Sequence, residues 1–554
     1  MNMQLNWQAR ASYTLLDTAF GVGQQFLARW ASWVADPDRP KRLHYVAIAP
    51  TPATVAQILE NTENPGLARE LASEWWGLVP GIHRLRLAAG HVTLTLAIGE
   101  LHPVLKSLVC DADAVFFNDT APGVNQDLLD TLKALTRHCR VGGLFVSPNP
   151  NPVMNEQLRS LGYQIEDSQT SLRARFAPHW PMKRQAARPV NPDRAIVIGA
   201  GLSGAAVAWQ LAEHGWQVEV MDRADQPAAD ASALPVGLMA THVSPDDAPL
   251  SRASRTGIRA TLAVLKALCI EGEDWRRTGA LEQGRDPVKS SWPAHWANSD
   301  AADWFSRDAD GLHHKTAAWI KPGALVRAWL HHTGIQFKGG TDVHSLTHTC
   351  QGWLLQGRQQ GVHGQTLGKA PMVVVCTAFG LRRLLPGADA LPLDLVAGQV
   401  AMAPQKTSLN TPLNGNGHWV PDVPGVSAPF WLSGSTYERL PLDELDAANG
   451  LESNRMRLAR LLANWPQACA DVQNQFDQGQ VHRWLGERCT SIDRLPLVGE
   501  WLPGLHVSAA QGSRGLCFAA LCAELLVAHL AAEPLPMDAR LAQGFAAQRF
   551  RQSS

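Results

Sequence analysis

The stretch Gly199-Ala200-Gly201-Leu202-Ser203-Gly204 constrains this chain more than any other. It follows an apolar run, Ala195 to Ile198, and opens a helical pattern from Ala205 to His214, after which Gln217 to Met221 again reads as a buried strand. Strand, glycine turn, helix and second strand together make a βαβ unit. Glycine at 199 permits a tight turn, glycine at 201 lets a diphosphate approach the backbone, and glycine at 204 lets the helix pack closely on the strand. The free N–H groups and positive partial charge of the helix start favour phosphate there. Asp222, with Arg223 beside it, closes the second strand about 20 residues further on, where a carboxylate accepts hydrogen bonds from ribose hydroxyls. Glycine-rich strand-to-helix turns also occur without nucleotide, but strand, helix and acid in one register favour a dinucleotide.

The end of the chain separates FAD from NAD. Leu495-Pro496-Leu497-Val498-Gly499 and Leu505-His506-Val507 lead to Gly512-Ser513-Arg514-Gly515, which opens a long apolar helix from Leu516 to Ala531. A second glycine turn at a helix N-terminus offers N–H groups to another oxygen-rich site, as an FAD enzyme needs near its isoalloxazine ring. An NAD dehydrogenase needs no such return.

At 554 residues the chain exceeds the roughly 250–300 at which a single core stops growing, so at least two domains are expected. Residues 176–193 hold Pro178, Pro181, Pro189 and Pro192 among basic and small residues and read as a linker. This divides the chain into an N-terminal domain, 1–175, and a C-terminal domain, 194–554. Before the linker, apolar runs (Tyr13 to Leu16, Leu43 to Ile48, Val92 to Ala97, Ala114 to Phe117, Gly143 to Val146) alternate with helical patterns such as Pro52 to Leu59 and Val124 to Arg137. That alternation predicts a parallel sheet with crossover helices, a Rossmann-like α/β domain. After the βαβ unit, Trp353 to Gly357, Gln399 to Ala403 and Pro429 to Gly434 suit an antiparallel sheet.

A net charge of −1 gives no global basic field, so a polyanion must meet a local patch. One candidate is Arg173, Arg175, Lys183, Arg184 and Arg188, interleaved with Phe176, His179 and Trp180; a solvated basic linker explains it equally well. The nine cysteines lack the short paired spacings of a metal site or a disulfide scaffold, so no metal is expected and a cytoplasmic location fits. Met1 to Arg10 has no export pattern, and no uninterrupted apolar stretch reaches the roughly 18 residues of a membrane span.

These motifs resemble the glycine-oxidase and D-amino-acid-oxidase flavoprotein superfamily. Gly512-Ser513-Arg514-Gly515-Leu516-Cys517, Leu521-Cys522-Ala523-Glu524-Leu525-Leu526, Glu533-Pro534-Leu535-Pro536 and the linker wording Phe176-Ala177-Pro178-His179-Trp180-Pro181 resemble, within it, the bifunctional tRNA 5-methylaminomethyl-2-thiouridine biosynthesis (MnmC) family. The resemblance implies an FAD-binding Rossmann domain with an antiparallel-sheet substrate domain. It also implies oxidation of a carboxymethylaminomethyl group on the wobble uridine of tRNA: a hydride leaves the carbon between amine and carboxylate, the imine hydrolyses, and glyoxylate departs. An arginine suits the carboxylate because its fork matches two oxygens. Arg514 is the first choice, with Arg488 and Arg494 behind it, each alternatively a surface or phosphate-facing charge. Ala397-Gly398-Gln399-Val400 resembles the family's Arg-Gly-Gln strand with alanine for arginine, which leaves Gly398 and Gln399 as flavin-side contacts. Ser232-Ala233-Leu234-Pro235-Val236-Gly237 resembles the small-residue turn that approaches the flavin.

In the N-terminal domain Asp17-Thr18-Ala19-Phe20-Gly21-Val22-Gly23 follows a strand and precedes the helix Gln25 to Trp33. By resemblance this is an S-adenosylmethionine loop, with Gly21, Gly23 and Glu100 facing the cofactor, in a methyltransferase that adds the final methyl group. Three positions depart from the family. Ala19 replaces the first glycine, Ala49 stands where an acid binds the ribose, and Asn118-Asp119-Thr120-Ala121-Pro122 replaces an Asp-Gly-Phe-Ala-Pro motif. Asparagine cannot take a proton, which removes a general base unless Asp119 substitutes. A structural or tRNA-docking domain therefore competes with a working methyltransferase. Two further readings are a small-molecule oxidase of glycine or sarcosine type and an FAD-containing tRNA-binding protein without catalysis.

Overall fold

A computed structural model describes residues 7, 10–118, 128–149, 152–166, 171–182, 186–283, 291–296, 299–439, 444 and 446–551. The chain divides into two compact units, Met1–Val190 with His295–Ala301 and Ala528–Ala542, and Asn191–Ala294 with Ala302–Val527 and Gln543–Ser554.

The first unit is built on eight strands: β1 (Ser12–Asp17), β2 (Arg42–Ala49), β3 (Gly81–Leu87), β4 (Val92–Ile98), β5 (Ala112–Phe116), β6 (Cys139–Ser147), β7 (Tyr163–Glu166) and β8 (Leu172–Phe176). They lie in the order β3-β4-β2-β1-β5-β6-β8-β7. The five central strands, which carry the apolar runs, are parallel. Helices cover both faces, as continuous apolar strands require. Leu15, Tyr45 and Leu94 pack on one face and Leu16, Val46 and Phe145 on the other.

Both edges depart from the parallel expectation. β3 pairs antiparallel with β4, and β7 and β8 form an antiparallel pair against β6. His83 and Arg84 break the apolar pattern of β3 yet are buried, with Arg84 Nε donating to Thr95 Oγ1 at 3.1 Å, so periodicity did not reveal the strand. Phe176 belongs to β8 and is 1% exposed, so it is core and not the first linker residue. The expected helix from Val124 is described as Leu128–Thr136, its earlier residues lying outside the described ones.

The first unit also takes in Ala528–Ala542, which a cut at the linker assigns to the other domain. Polar groups of the sheet account for this: Arg84 Nη2 donates to Pro534 O (2.5 Å), Arg140 Nη2 to Ala532 O (2.9 Å), and Leu535 N to Val109 O (3.0 Å). Buried guanidinium donors need such acceptors.

The second unit opens with β9 (Arg194–Ile198), the helix Leu202–Glu213 and β10 (Gln217–Met221). Its six-stranded sheet runs Ile335–Lys338, β10, β9, Met372–Val375, Leu505–Ala509, Leu497–Leu502, with only the last pair antiparallel. A second, eight-stranded sheet contains the long strands Leu393–Pro404 and His482–Ser491, paired antiparallel with Gly398 opposite Gly486, together with Phe430–Gly434 and Gly417–Val423. Trp353 to Gly357 lies in a separate three-stranded antiparallel sheet.

The closing helix is Gly515–Ala531. With the preceding turn, Gly512–Ala531 is long and apolar enough by mean hydropathy to cross a membrane, although Arg514 and Glu524 interrupt it; 72% of its 18-residue apolar window is buried inside the fold.

Candidate functional site

The glycine turn after β9 has the geometry its sequence predicts. Gly199 has φ +106°, and a Cβ there would lie 2.7 Å from Cys376 O. A Cβ at Gly204 would fall inside the Gly199 carbonyl oxygen, which is the close helix-to-strand approach that requires glycine. At Gly201 a Cβ would lie 3.0 Å from Ser232 Oγ. That hydroxyl accepts from Leu202 N at 3.0 Å, so the turn around Ser232 closes over the helix start. Asp222 Oδ2 accepts from Ala200 N (2.6 Å) and Oδ1 from Ala224 N (2.8 Å). Each carboxylate oxygen keeps a second lone pair, so the acid both braces the glycine turn and remains able to accept from a ribose. These groups fit the diphosphate and ribose of FAD. Arg223 is largely exposed and pairs with Asp230 at 2.7 Å, which holds its pKa up.

The second glycine turn, Gly512–Arg514, follows the strand Leu505–Ala509 and leads into the closing helix. Gly512 has φ +56°, Ser513 is exposed and Arg514 is half-buried. A Cβ at Gly515 would lie 3.3 Å from Leu202 Cδ1, so the two turns lie side by side. An isolated bridge joins Gln511 to Thr490, which brings the strand His482–Ser491 against this turn.

That strand carries Arg488, which is half-buried. Its Nη2 donates to Thr436 O (3.3 Å), its guanidinium lies 5.9 Å from the Tyr437 ring centroid, and burial lowers its pKa. A Cβ at Gly398 would lie 2.5 Å from Arg488 Nη2, so glycine at 398 makes room for the guanidinium. His418 is neutral beside it: burial first, then the charge of Arg488, push its pKa down to about 4.

Strand alternation separates Gln399 from Arg488. Val400 and Trp484 pack with Leu234 and Val236 on one sheet face, whereas Ala401 and Ala403 pack with Leu458 and Leu461 on the other. Gln399 lies on the second face: Nε2 donates to Asp446 O at 3.1 Å, and the side chain presses on Gly450. Its expected place at the flavin is therefore corrected, because odd positions of this strand face the covering helix. Arg494 is exposed, in a turn with φ +60°.

In the first unit a cavity of about 90 Å³ opens at the carboxyl ends of β1, β5 and β6, lined by Asp17, Ala19, Gln25, Arg29, Phe116, Phe117, Asn118, Val146 and Pro148. This is the switch point where β1 lies between β2 and β5. Gly21 (φ +57°) and Gly23 (φ +82°) form the turn. The cavity's place beside this turn, at the carboxyl ends of parallel strands, fits S-adenosylmethionine in position. Ala49 sits at the end of β2 and offers no ribose acceptor, and Glu100 is exposed at the start of the helix Leu101–Ser107. Asn118 lines the cavity and its backbone N donates to Thr18 Oγ1 at 3.1 Å; Asp119 to Pro122 lie outside the described residues.

The acid this cavity does contain is Asp17, which sequence reasoning placed in the loop without a role. It accepts from Tyr45 Oη (2.5 Å) and Ala19 N (2.9 Å), and burial, opposed by those bonds and by Arg29, raises its pKa to about 6. Arg29 is 4% exposed and stacks over Phe116 at 5.3 Å. An acid closing an apolar strand was the available signal for Asp17. A helical arginine inside an apolar stripe gave none for Arg29.

Of the basic stretch, Arg173 and Arg175 reach Glu166 at 3.5 and 2.8 Å, which offsets charge the patch reading needs. Lys183 and Arg184 lie outside the described residues.

Residues 194–529 match the family of FAD dependent oxidoreductases, and residues 62–175 match that of S-adenosyl-L-methionine-dependent methyltransferases. Fold and turns thus define a flavin-dependent oxidoreductase joined to an S-adenosylmethionine-dependent methyltransferase domain. The chain is 39% identical over 597 aligned positions to the tRNA 5-methylaminomethyl-2-thiouridine biosynthesis bifunctional protein MnmC of Paracidovorax citrulli, covering 98% of this chain and 92% of that one. The protein of the same name from Thiobacillus denitrificans is 33% identical over 98% of this chain and 91% of its own length. The chain belongs to the MnmC family. Among solved structures, glycine oxidase from Geobacillus kaustophilus is similar over 61% of this chain and 94% of its own, at 19% identity and a TM-score of 0.46.

Proposed function

We propose that this protein works in the cytoplasm on the wobble uridine of tRNA. It removes the carboxymethyl group from carboxymethylaminomethyl-(2-thio)uridine by oxidation, and it methylates the resulting aminomethyl group at its second site. The observation that carries the reading is Arg488, a half-buried, partly desolvated guanidinium on the sheet face that also holds Leu234 and Val236, with glycine at 398 leaving it room.

When bound, FAD supplies a two-electron acceptor for the hydride that leaves the substrate carbon. Arg488 binds the carboxylate through its fork, and burial strengthens that bond by excluding water. His418, neutral above a pH of about 4, adds no second positive charge that would oppose loss of a proton from the amine. Arg488 ranks ahead of Arg514 because desolvation lowers its pKa, glycine at 398 leaves it room, and its strand is bridged to the second glycine turn. Asp222 and the turn from Gly199 to Gly204 hold the cofactor; Gly512 and Gly515 shape the second approach to it. In the other unit, Gly21 and Gly23 shape the S-adenosylmethionine turn, and Asp17 stands at its entrance.

The test is incubation of the full chain with carboxymethylaminomethyl-modified tRNA, reading glyoxylate and the nucleosides formed with and without S-adenosylmethionine. Glyoxylate from the tRNA but not from free glycine is expected, with aminomethyl-uridine converted to methylaminomethyl-uridine when S-adenosylmethionine is added. Removal of the clamp by Arg488→Met is expected to lower kcat/KM by roughly a hundredfold or more, as truncating one side of a buried charge pair does. Glyoxylate from glycine or sarcosine alone would instead establish a small-molecule amine oxidase.

A further inference from the structure

Ser203, in the first turn of the helix that follows the dinucleotide turn, does not cap that helix. Its hydroxyl donates to Ser508 O at 2.7 Å, lies 2.9 Å from Ser508 Oγ, and accepts from Gln511 Nε2 at 3.2 Å. A hydroxyl has one proton and two lone pairs, so with its proton on the carbonyl Ser203 accepts from both Ser508 and Gln511 and is fully occupied. Ser508 is 0% exposed and closes the strand Leu505–Ala509. Gln511 is the residue from which the second glycine turn starts, and Arg514 N donates back to Gln511 O at 3.1 Å. Its side chain also reaches the Cys522 thiol, while the Cys376 thiol, one residue past the strand Met372–Val375, lies against Ser203 and Ser508. The node therefore ties together the segments that carry the two glycine turns.

We infer that the Ser203–Ser508–Gln511 node is a positioning device for FAD, holding the diphosphate turn and the flavin-side turn at one separation. The inference rests on the flavin reading of the second unit. Ser203 has no free valence for a phosphate, so its effect on the cofactor passes through the spacing of the turns. A single flavin dinucleotide spans both turns, so an unspecified separation weakens binding and alters the surroundings of the isoalloxazine ring without removing a direct contact.

The experiment compares the full-length protein with Gln511→Met, close in size but without the donor, with Ser203→Ala, and with the double variant. FAD is titrated into each apoprotein by flavin fluorescence, the visible spectrum of each bound flavin is recorded, and each apoprotein is melted. Each single variant is expected to raise the FAD dissociation constant about three- to tenfold. A displaced long-wavelength flavin band and a double variant no weaker than either single one complete the expectation; each apoprotein, which loses the same internal hydrogen bond, melts about a few degrees lower. Parental affinity and spectrum in both single variants would overturn the inference, as would additive losses or a lowered melting temperature with an unmoved flavin band. If Ser203→Ala does not fold, Gln511→Met decides alone. A parent protein that binds no FAD would instead overturn the flavin reading itself.

Discussion

The glycine turn of the first unit, at Gly21 and Gly23, and the dinucleotide turn of the second, from Gly199 to Gly204, solve one problem with different completeness. Each follows a central parallel strand, opens a helix and lies at a switch point of its sheet, as nucleotide sites of doubly wound sheets do. In the second unit the acid that closes the neighbouring strand is present, and Asp222 both braces the turn and offers lone pairs outward. In the first unit that position is Ala49, and the acid that lines the cavity, Asp17, closes β1, the strand before the turn, and not the neighbouring β2. Matching topology therefore does not imply matching affinity: the backbone cradle is shared, and the charged side chain that fixes the ribose is not.

The largest effect is expected from the tightest approach. Gly204→Val drives a side chain into the Gly199 carbonyl, and the purified variant should contain no bound FAD by absorbance. Asp222→Ala removes a carboxylate that accepts two backbone N–H groups and has lone pairs left for the ribose proposed to bind there. FAD affinity measured by titration should fall roughly tenfold to a hundredfold, the range for hydrogen bonds to charged groups.

Asp17 supplies a pH-dependent contrast. Its folded pKa, about 6, lies above the ordinary 3.8, so the folded state holds a proton there that the unfolded state has lost, and stability falls as pH rises between those values. Asp17→Asn removes that dependence. Relative to the parent, it should gain roughly 1 kcal/mol between pH 5 and pH 8 in urea unfolding. The smallest effect sharpens the comparison directly: Ala49→Asp restores the missing acceptor and should tighten S-adenosylmethionine binding about three- to tenfold by isothermal titration. No change would mean that the ribose is held elsewhere in the cavity.

Much of this was legible in the sequence where local pattern and tertiary role coincide. The βαβ unit around Gly199, Asp222 and the closing helix are visible because a strand, a turn and a helix each impose their own residue types over a few positions. The edge strands β3, β7 and β8 were not, because polar side chains interrupt their pattern, and one such as Arg84 is buried through a partner distant in the chain. Gln399 was misplaced for a related reason: its strand is apolar on both faces, so alternation in sequence does not tell which face meets the cofactor. The Ser203–Ser508–Gln511 node joins positions about 300 apart in the chain, a separation no local pattern reports. The described residues between Phe176 and Arg194 carry no helix or strand, as their prolines predict, whereas the share of the first unit contributed by Ala528–Ala542 depends on pairing that only the fold displays.

The most direct measurement is the visible spectrum of the purified full chain before and after reconstitution with FAD, set beside that of Gly204→Val. The account predicts a yellow parent protein with one flavin per chain and a colourless variant. A parent that stays colourless after reconstitution would contradict it.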